Sequence, residues 1–317
     1  MKFIEKIYSL LIFFSVVLGL ILGQISIIQT NAELFIIPLL IGMLYISFLQ
    51  IPFKDFTSSF RNKKFMITAI IINFFWIPLF AYVLASLFLG SHPALFIGFI
   101  MLMVTPCTDW YLVFTGIAKG NLAISTAILP INLILQVLLL PVYLYLFANH
   151  TGSIQFAELM ESIVVVILVP LILAFITKYF LFRRERSLSL EKISIFPIIF
   201  LCFAITAMFA SQGELLLSNL DLLLIILIPL VLFFSINFSI GLFVSRQLQF
   251  PYADRVSLSL TTLARNSPIA LAIALTAFPD EPLIALTLIV GPLLELPILA
   301  IITQLLLLFN RREIKST

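Results

Sequence analysis

The sequence predicts an all-α polytopic membrane protein of ten transmembrane helices, arranged as a five-plus-five inverted repeat with broken, crossing fourth and ninth helices. Composition is the first of three observations that carry this. Of 317 residues 62% are hydrophobic and 10% charged, with a mean hydropathy of +1.21, whereas a soluble domain carries about a quarter charged residues. Second, charge-free runs of about 18 or more apolar residues recur along the whole length, each able to cross roughly 30 Å of hydrocarbon as a helix. Third, a polar interruption, Thr105-Pro106-Cys107-Thr108-Asp109-Trp110, breaks an apolar run between Pro93 and Lys119, and a second follows at Arg265-Asn266-Ser267-Pro268.

The spans fall at about 4–23, 33–51, 65–89, 93–118, 121–147, 155–180, 191–211, 221–245, 253–278 and 282–309. They leave no room for a soluble domain, so residues 1–317 read as one transmembrane unit, its first repeat at about 4–147 and its second at about 155–309. The first run follows Lys2 and Lys6 and lacks a small-residue cleavage site, so it reads as a retained span.

Basic residues set the orientation. Lys54, Arg61, Lys63 and Lys64 precede the third span and Lys119 the fifth; Lys178, Arg183, Arg184, Arg186 and Lys192 separate the sixth and seventh, and Arg246 and Arg255 the eighth and ninth. Lys2, Lys6, Arg311, Arg312 and Lys315 put both termini on that same, cytoplasmic side of the cell membrane, while the opposite loops contain no Lys or Arg. Of 18 basic residues only Arg265 escapes this segregation, and the net charge of +3 reports topology, not nucleic-acid binding.

Internal symmetry is legible in the prolines. Pro106 to Pro130 and Pro268 to Pro292 are both 24 residues, and Ala123 and Ala285 fall in register at the same offset of 162. The fourth and ninth spans run in opposite directions, which makes the repeat an inverted one, a recurrent transporter plan.

Three ionisable side chains lie inside spans: Asp109, Arg265 and Glu295. Each costs roughly 2.5–3.5 kcal/mol at a helix centre on insertion scales, so they must face protein or water. Arg265 keeps its proton and is expected to pair with Glu295, Asp109 or both. One reading is a salt bridge that only holds the two halves in register; the other is a binding site. The surroundings favour the site: Thr105-Pro106 and Asn266-Ser267-Pro268 unwind helices in the membrane, exposing carbonyls and half-helix N-termini that can hold an ion or polar solute. Asn132 and Gln136, four apart, share one face of the fifth span and can turn toward the break. Cys107 reads either as a functional thiol, whose softness suits trivalent arsenic, or as a small filler, as Cys202 does. His92 and His150 lie in outer loops without ligand spacing, and Glu158 and Glu161 read as interfacial. No cofactor is implied. The absence of an effector domain argues against a receptor, and the absence of His-Glu or Ser-His patterns in the spans argues against a membrane enzyme.

Pro106-Cys107 through Gln136, with Val290-Gly291-Pro292-Leu293-Leu294-Glu295-Leu296-Pro297, resembles the arsenical-resistance permeases of the bile acid:sodium symporter superfamily. Leu271-Ala272-Ile273-Ala274 resembles the family's ninth-span ending. The resemblance implies ten spans with crossed broken helices, and arsenite extrusion carried by the fourth-span cysteine and tenth-span glutamate, here Cys107 and Glu295. Two departures stand out: Ala270 replaces a glutamate of the permeases, and Thr261-Thr262-Leu263-Ala264-Arg265-Asn266-Ser267 replaces the Glu-x-Gly-x-Gln-Asn-Ser of sodium-coupled members. A fixed guanidinium within about 4 Å of a cation site would repel sodium by a few kcal/mol at an effective dielectric of about 20.

The function expected is therefore proton-coupled efflux of arsenite or antimonite. The substrate-binding residues expected are Thr105, Cys107, Thr108, Asp109, Asn132, Gln136, Arg265, Asn266, Ser267 and Glu295, with Glu295 and Asp109 exchanging protons. A small organic anion held by Arg265 is the alternative substrate, and the oligomeric state is open.

Overall fold

The computed structural model describes residues 2–51, 62–108, 110–148, 156–183, 195–218 and 220–316. Among them every regular element is a helix: α1 Lys2–Leu22, α2 Ser26–Gln50, α3 Lys63–Phe88, α4 Pro93–Val104, α5 Trp110–Ile117, α6 Leu122–Ala148, α7 beginning at Phe156 and ending at Arg183, α8 Phe196–Ser218, α9 Leu220–Gln247, α10 Tyr252–Leu263, α11 Ser267–Ala277 and α12 Pro282–Ser316. Seven of these, α2, α3, α6, α7, α8, α9 and α12, are each long and apolar enough to cross a membrane. The predicted first, fourth and ninth spans are not among the seven. The fourth and ninth are interrupted, as α4 with α5 and α10 with α11. Phe13, Phe75, Leu138, Phe203 and Phe243 are each at least 60% exposed, a surface that only lipid makes tolerable.

One boundary moves substantially. The second span was expected to begin near residue 33, yet α2 starts at Ser26, because Thr30 and Asn31 bond back to Ser26 O and Ile27 O and continue the helix through residues that read as loop. α3 and α7 each contain a π turn, Ile72–Trp76 and Val164–Leu168, the local widening that lets a side chain leave the regular ladder.

The helices pack in two groups. α8 lies along α2 and α1, and α7 along α2. At the α1–α8 seam a Cβ on Gly19 would come within 2.6 Å of Phe209 Cβ and of Thr206 O, so the backbones touch as small residues allow in membranes. In the other group α4 packs on α12, α3 and α6, and α9 packs on α10 and α3. α3 and α9 thus pack with the broken helices.

The interrupted helices are tied down at one end. The turn between α5 and α6, with Lys119 at φ 60°, docks on the start of α10. The Asn121 N–H donates to Ala253 O (3.1 Å) and its amide to Asp254 Oδ1 (2.8 Å), while Asn62, the N-cap of α3, reaches Asp254 Oδ2 (3.4 Å). Lys64 and Lys178 cap the carbonyls of Leu248 and Ile51, each at 2.6 Å.

α4 and α12 meet at Gly98, where an added Cβ would lie 2.7 Å from Thr287 Cβ and 2.9 Å from Ile284 O. Gly98→Ala is expected to cost about 1–3 kcal/mol by overpacking and to lower the melting temperature in detergent, read by intrinsic fluorescence. An unchanged transition would mean that the two helices are not held at this distance.

Candidate functional site

The two interruptions cross. Thr105-Pro106-Cys107 runs antiparallel to Ala264-Arg265-Asn266 as an isolated β-bridge centred on Pro106 and Arg265. The Cys107 N–H donates to Ala264 O (3.0 Å) and the Asn266 N–H to Thr105 O (2.7 Å). A short extended pairing is what two unwound strands can make when no water is there to satisfy them. Pro106, which has no N–H, sits at the centre of the bridge, where the two flanking residues carry both bonds. Pro268 does something different from what its sequence position suggested. It lies in the first turn of α11, where a missing N–H costs nothing. The crossing register follows accordingly: Pro93 to Tyr252, Val104 to Leu263 and Pro106 to Arg265 are equal steps of 159 residues, not the 162 of the prolines.

α4 and α10 both point their C-terminal ends at the crossing, so unpaired carbonyls and the negative ends of two helix dipoles converge there. Arg265, 1% exposed, answers them. Its Nη1 donates to Met103 O (2.8 Å) at the end of α4, its Nε to Leu263 O (3.1 Å) and one Nη2 hydrogen to Thr262 O at the end of α10. Nη2 also reaches Asn73 Oδ1 (3.2 Å), and the guanidinium stands 5.6 Å from the Phe233 ring centre. Four of the five guanidinium N–H donors are thereby committed. Thr105 completes the end of α4, its hydroxyl 2.9 Å from Met101 O and 3.1 Å from Leu102 O.

The expected pairing of Arg265 with Glu295 takes an unexpected form. Glu295, 3% exposed on α12, accepts the backbone N–H of Arg265 at 2.9 Å, not the guanidinium. The planar fork is directed at carbonyls that have no other donor, and the carboxylate takes the main-chain donor that the break leaves open. Asn266 closes the ring: its Oδ1 caps the Ile269 N–H (3.3 Å) and its Nδ2 donates to Thr108 Oγ1 (3.1 Å). Thr105, Cys107, Thr108, Arg265, Asn266 and Glu295 are thus gathered at one buried crossing, and Ser267 opens α11 beside it. Asp109 lies outside the described residues.

Asn132 and Gln136 are buried on α6, at 0% and 1% exposure, and among the described residues no atom of either amide has a hydrogen-bond partner. α6 packs on α4, α5, α10 and the π turn of α3. Among the described residues neither bonds to the crossing.

Sequence reasoning missed Asn73. It sits in the π turn of α3, fully buried, and joins Arg265 to α10 by donating to Thr261 O (3.4 Å). Its signal was present as a lone amide in Ile71-Ile72-Asn73-Phe74-Phe75, an apolar stretch that gives such a group no solvent. Cys107 is 1% exposed and outside any disulfide. Among the described residues no three of His, Cys, Asp and Glu come together, so any soft-ligand chemistry at the crossing rests on a single thiol.

Comparison with known proteins places this architecture. Residues 37–219 match the model of the Sodium Bile acid symporter family. The chain is 26% identical to the arsenical-resistance protein Acr3 of Corynebacterium glutamicum over 94% of its own length and 87% of that protein. It is 22% identical to the Acr3 of Alkaliphilus metalliredigens over 83% and 78%. The similarity extends to an uncharacterized sodium-dependent transporter, YocS of Bacillus subtilis, at 26% over 73% and 70%. The family match covers more than half of the chain, and with seven membrane-length apolar helices the protein is a multi-pass membrane transporter, not an enzyme, that belongs to the Sodium Bile acid symporter family.

Proposed function

We propose that the protein exports arsenite or antimonite across the cell membrane in exchange for protons. Cys107 carries this reading: a buried thiol held at the crossing of two half-helices, with a carboxylate and a capped guanidinium beside it. A thiolate is the side chain best suited to a soft trivalent centre. Thr108, Asn266 and Ser267 offer polar contacts next to it, and the similarity to two Acr3 proteins points the same way.

Glu295 is the proposed proton carrier, with Asp109 as its partner. Ionised, its carboxylate accepts the N–H that anchors the joint between α10 and α11; protonated, it is a weaker acceptor, so proton uptake loosens the crossing. The equal 159-residue steps support an inverted five-plus-five repeat of ten passes in a single domain, with α3 to α6 and α9 to α12 moving against α1, α2, α7 and α8. The segregation of Lys and Arg supports cytoplasmic termini. Transport is sodium-independent in this reading, because the carbonyls that an alkali cation would use are already taken by Arg265. The same commitment weakens the alternative of an organic anion held by Arg265, whose donors have other acceptors.

Two outcomes test this. Cys107→Ser is expected to abolish the arsenite and antimonite tolerance that the wild-type protein confers on sensitive cells, at equal membrane abundance; unchanged tolerance would remove the thiol from the mechanism. Arg265→Lys keeps the charge but loses the planar fork. It leaves buried carbonyls unpaired at about 1–3 kcal/mol each, so the melting temperature in detergent should fall by several degrees and metalloid flux should be lost. A lysine variant with wild-type melting and flux would show that the charge alone suffices.

A further inference from the structure

Buried amides are normally bonded, because leaving them unpaired in a low dielectric is costly. Asn132 and Gln136 break that rule together, with both the oxygen and the nitrogen of each side chain unpartnered. Ser125, fully buried with its hydroxyl also unpartnered, lies seven residues before Asn132. Spacings of seven and four bring all three to within about 40° of one line along the helix, at 100° per residue. They form one buried stripe on α6, a helix that packs on α4, α5, α7, α10 and the π turn of α3. Residues 132 and 136 also straddle the middle of α6, which runs from Leu122 to Ala148, so the amides lie near the depth where a solute is held in alternating access.

The stripe has no charge of its own, since α6 contains no ionisable Asp, Glu, Lys, Arg or His. Arg265, the cation in the neighbouring crossing, has four of its five donors engaged. An anion would meet amide oxygens with little compensating charge, and a cation would meet amide N–H groups. What remains unpaired is donors and acceptors in equal measure: each amide offers two of each, and Ser125 one more hydroxyl.

We infer that Asn132 and Gln136, about 6 Å apart along α6, form a charge-neutral site that binds an uncharged, hydroxyl-rich small solute, with the Ser125 hydroxyl about 10 Å further along the same face. The inference rests on the proposed metalloid export and deepens it: trivalent arsenic and antimony are uncharged trihydroxides at neutral pH, each O–H a donor and each oxygen an acceptor. The amides then recognise the hydroxyls, and Cys107 is left to meet the metalloid atom.

Asn132→Leu, Gln136→Met and the double variant test this in purified protein and in proteoliposomes. Removing unpaired amides from an apolar interior should raise the melting temperature, whereas a structural role would lower it. Arsenite flux should fall by about tenfold or more in the double variant. Boric acid, an uncharged trihydroxide without affinity for thiols, should compete with arsenite in the wild type, and acetate at the same concentration should not. Flux within about twofold of wild type in the double variant would overturn the inference, as would lowered melting, which would assign the amides to water or to structure. If the wild type carries no arsenite at all, the export reading fails separately. The boric-acid shift in melting temperature then decides: a shift in the wild type that the double variant loses supports the site, and no shift in the wild type overturns it.

Discussion

Two helix ends of like polarity meet in the middle of this protein, and the guanidinium of Arg265 holds them there. α4 and α10 each terminate in open carbonyls and a partial negative charge of roughly half an electron. In a hydrocarbon environment neither can be answered by water. Arg265 reaches Met103 O on one helix and Thr262 O and Leu263 O on the other, so one side chain neutralises both ends and closes the gap between them. A lysine ammonium has only three donors on one atom, whereas the planar fork places four N–H groups on acceptors of both helices and of Asn73. The antiparallel bridge, the Glu295 contact and the Asn266 cap all depend on that junction.

With the junction internally satisfied, the chemistry left over becomes informative. The thiol of Cys107 and the carboxylate of Glu295 sit at the crossing, while the amides of Asn132 and Gln136 sit unbonded on the helix packed beside it. The proposed site combines a soft nucleophile, a titratable group and neutral hydrogen-bonding groups, and the guanidinium of Arg265 beside it already has four of its five donors engaged, which is the basis for proposing a neutral solute. The α1–α8 and α2–α8 seams bring backbones close together, and their helices also carry buried unpartnered polar atoms, at Ser47, Gln50 and Gln212.

Much of this was legible in the amino-acid order. Prolines, an arginine and carboxylates inside apolar runs marked the fourth and ninth helices as broken, because hydrocarbon makes such residues expensive anywhere else. Residue types do not encode which atoms a guanidinium will choose, so the expected side-chain pair with Glu295 became a backbone contact, and the carbonyl ends were invisible until two helices were seen to converge. The proline spacing suggests an offset of 162, whereas Pro106 and Pro268 occupy different places relative to the break and the bridge pairs Pro106 with Arg265, a step of 159. Asn73 escaped notice because one amide in a long apolar span looks like an incidental polar residue until a π turn aims it inward. The placement of α3 and α9 with the crossing helices was not readable either, since their composition matches that of the remaining spans.

Whether this junction serves the proposed proton-coupled, sodium-independent export of a trivalent metalloid is decided by flux from purified protein. In proteoliposomes with an imposed proton gradient and no sodium on either side, arsenite should move against its concentration gradient, and collapsing the proton gradient should stop it. Flux that requires a sodium gradient and ignores the proton gradient would contradict the account.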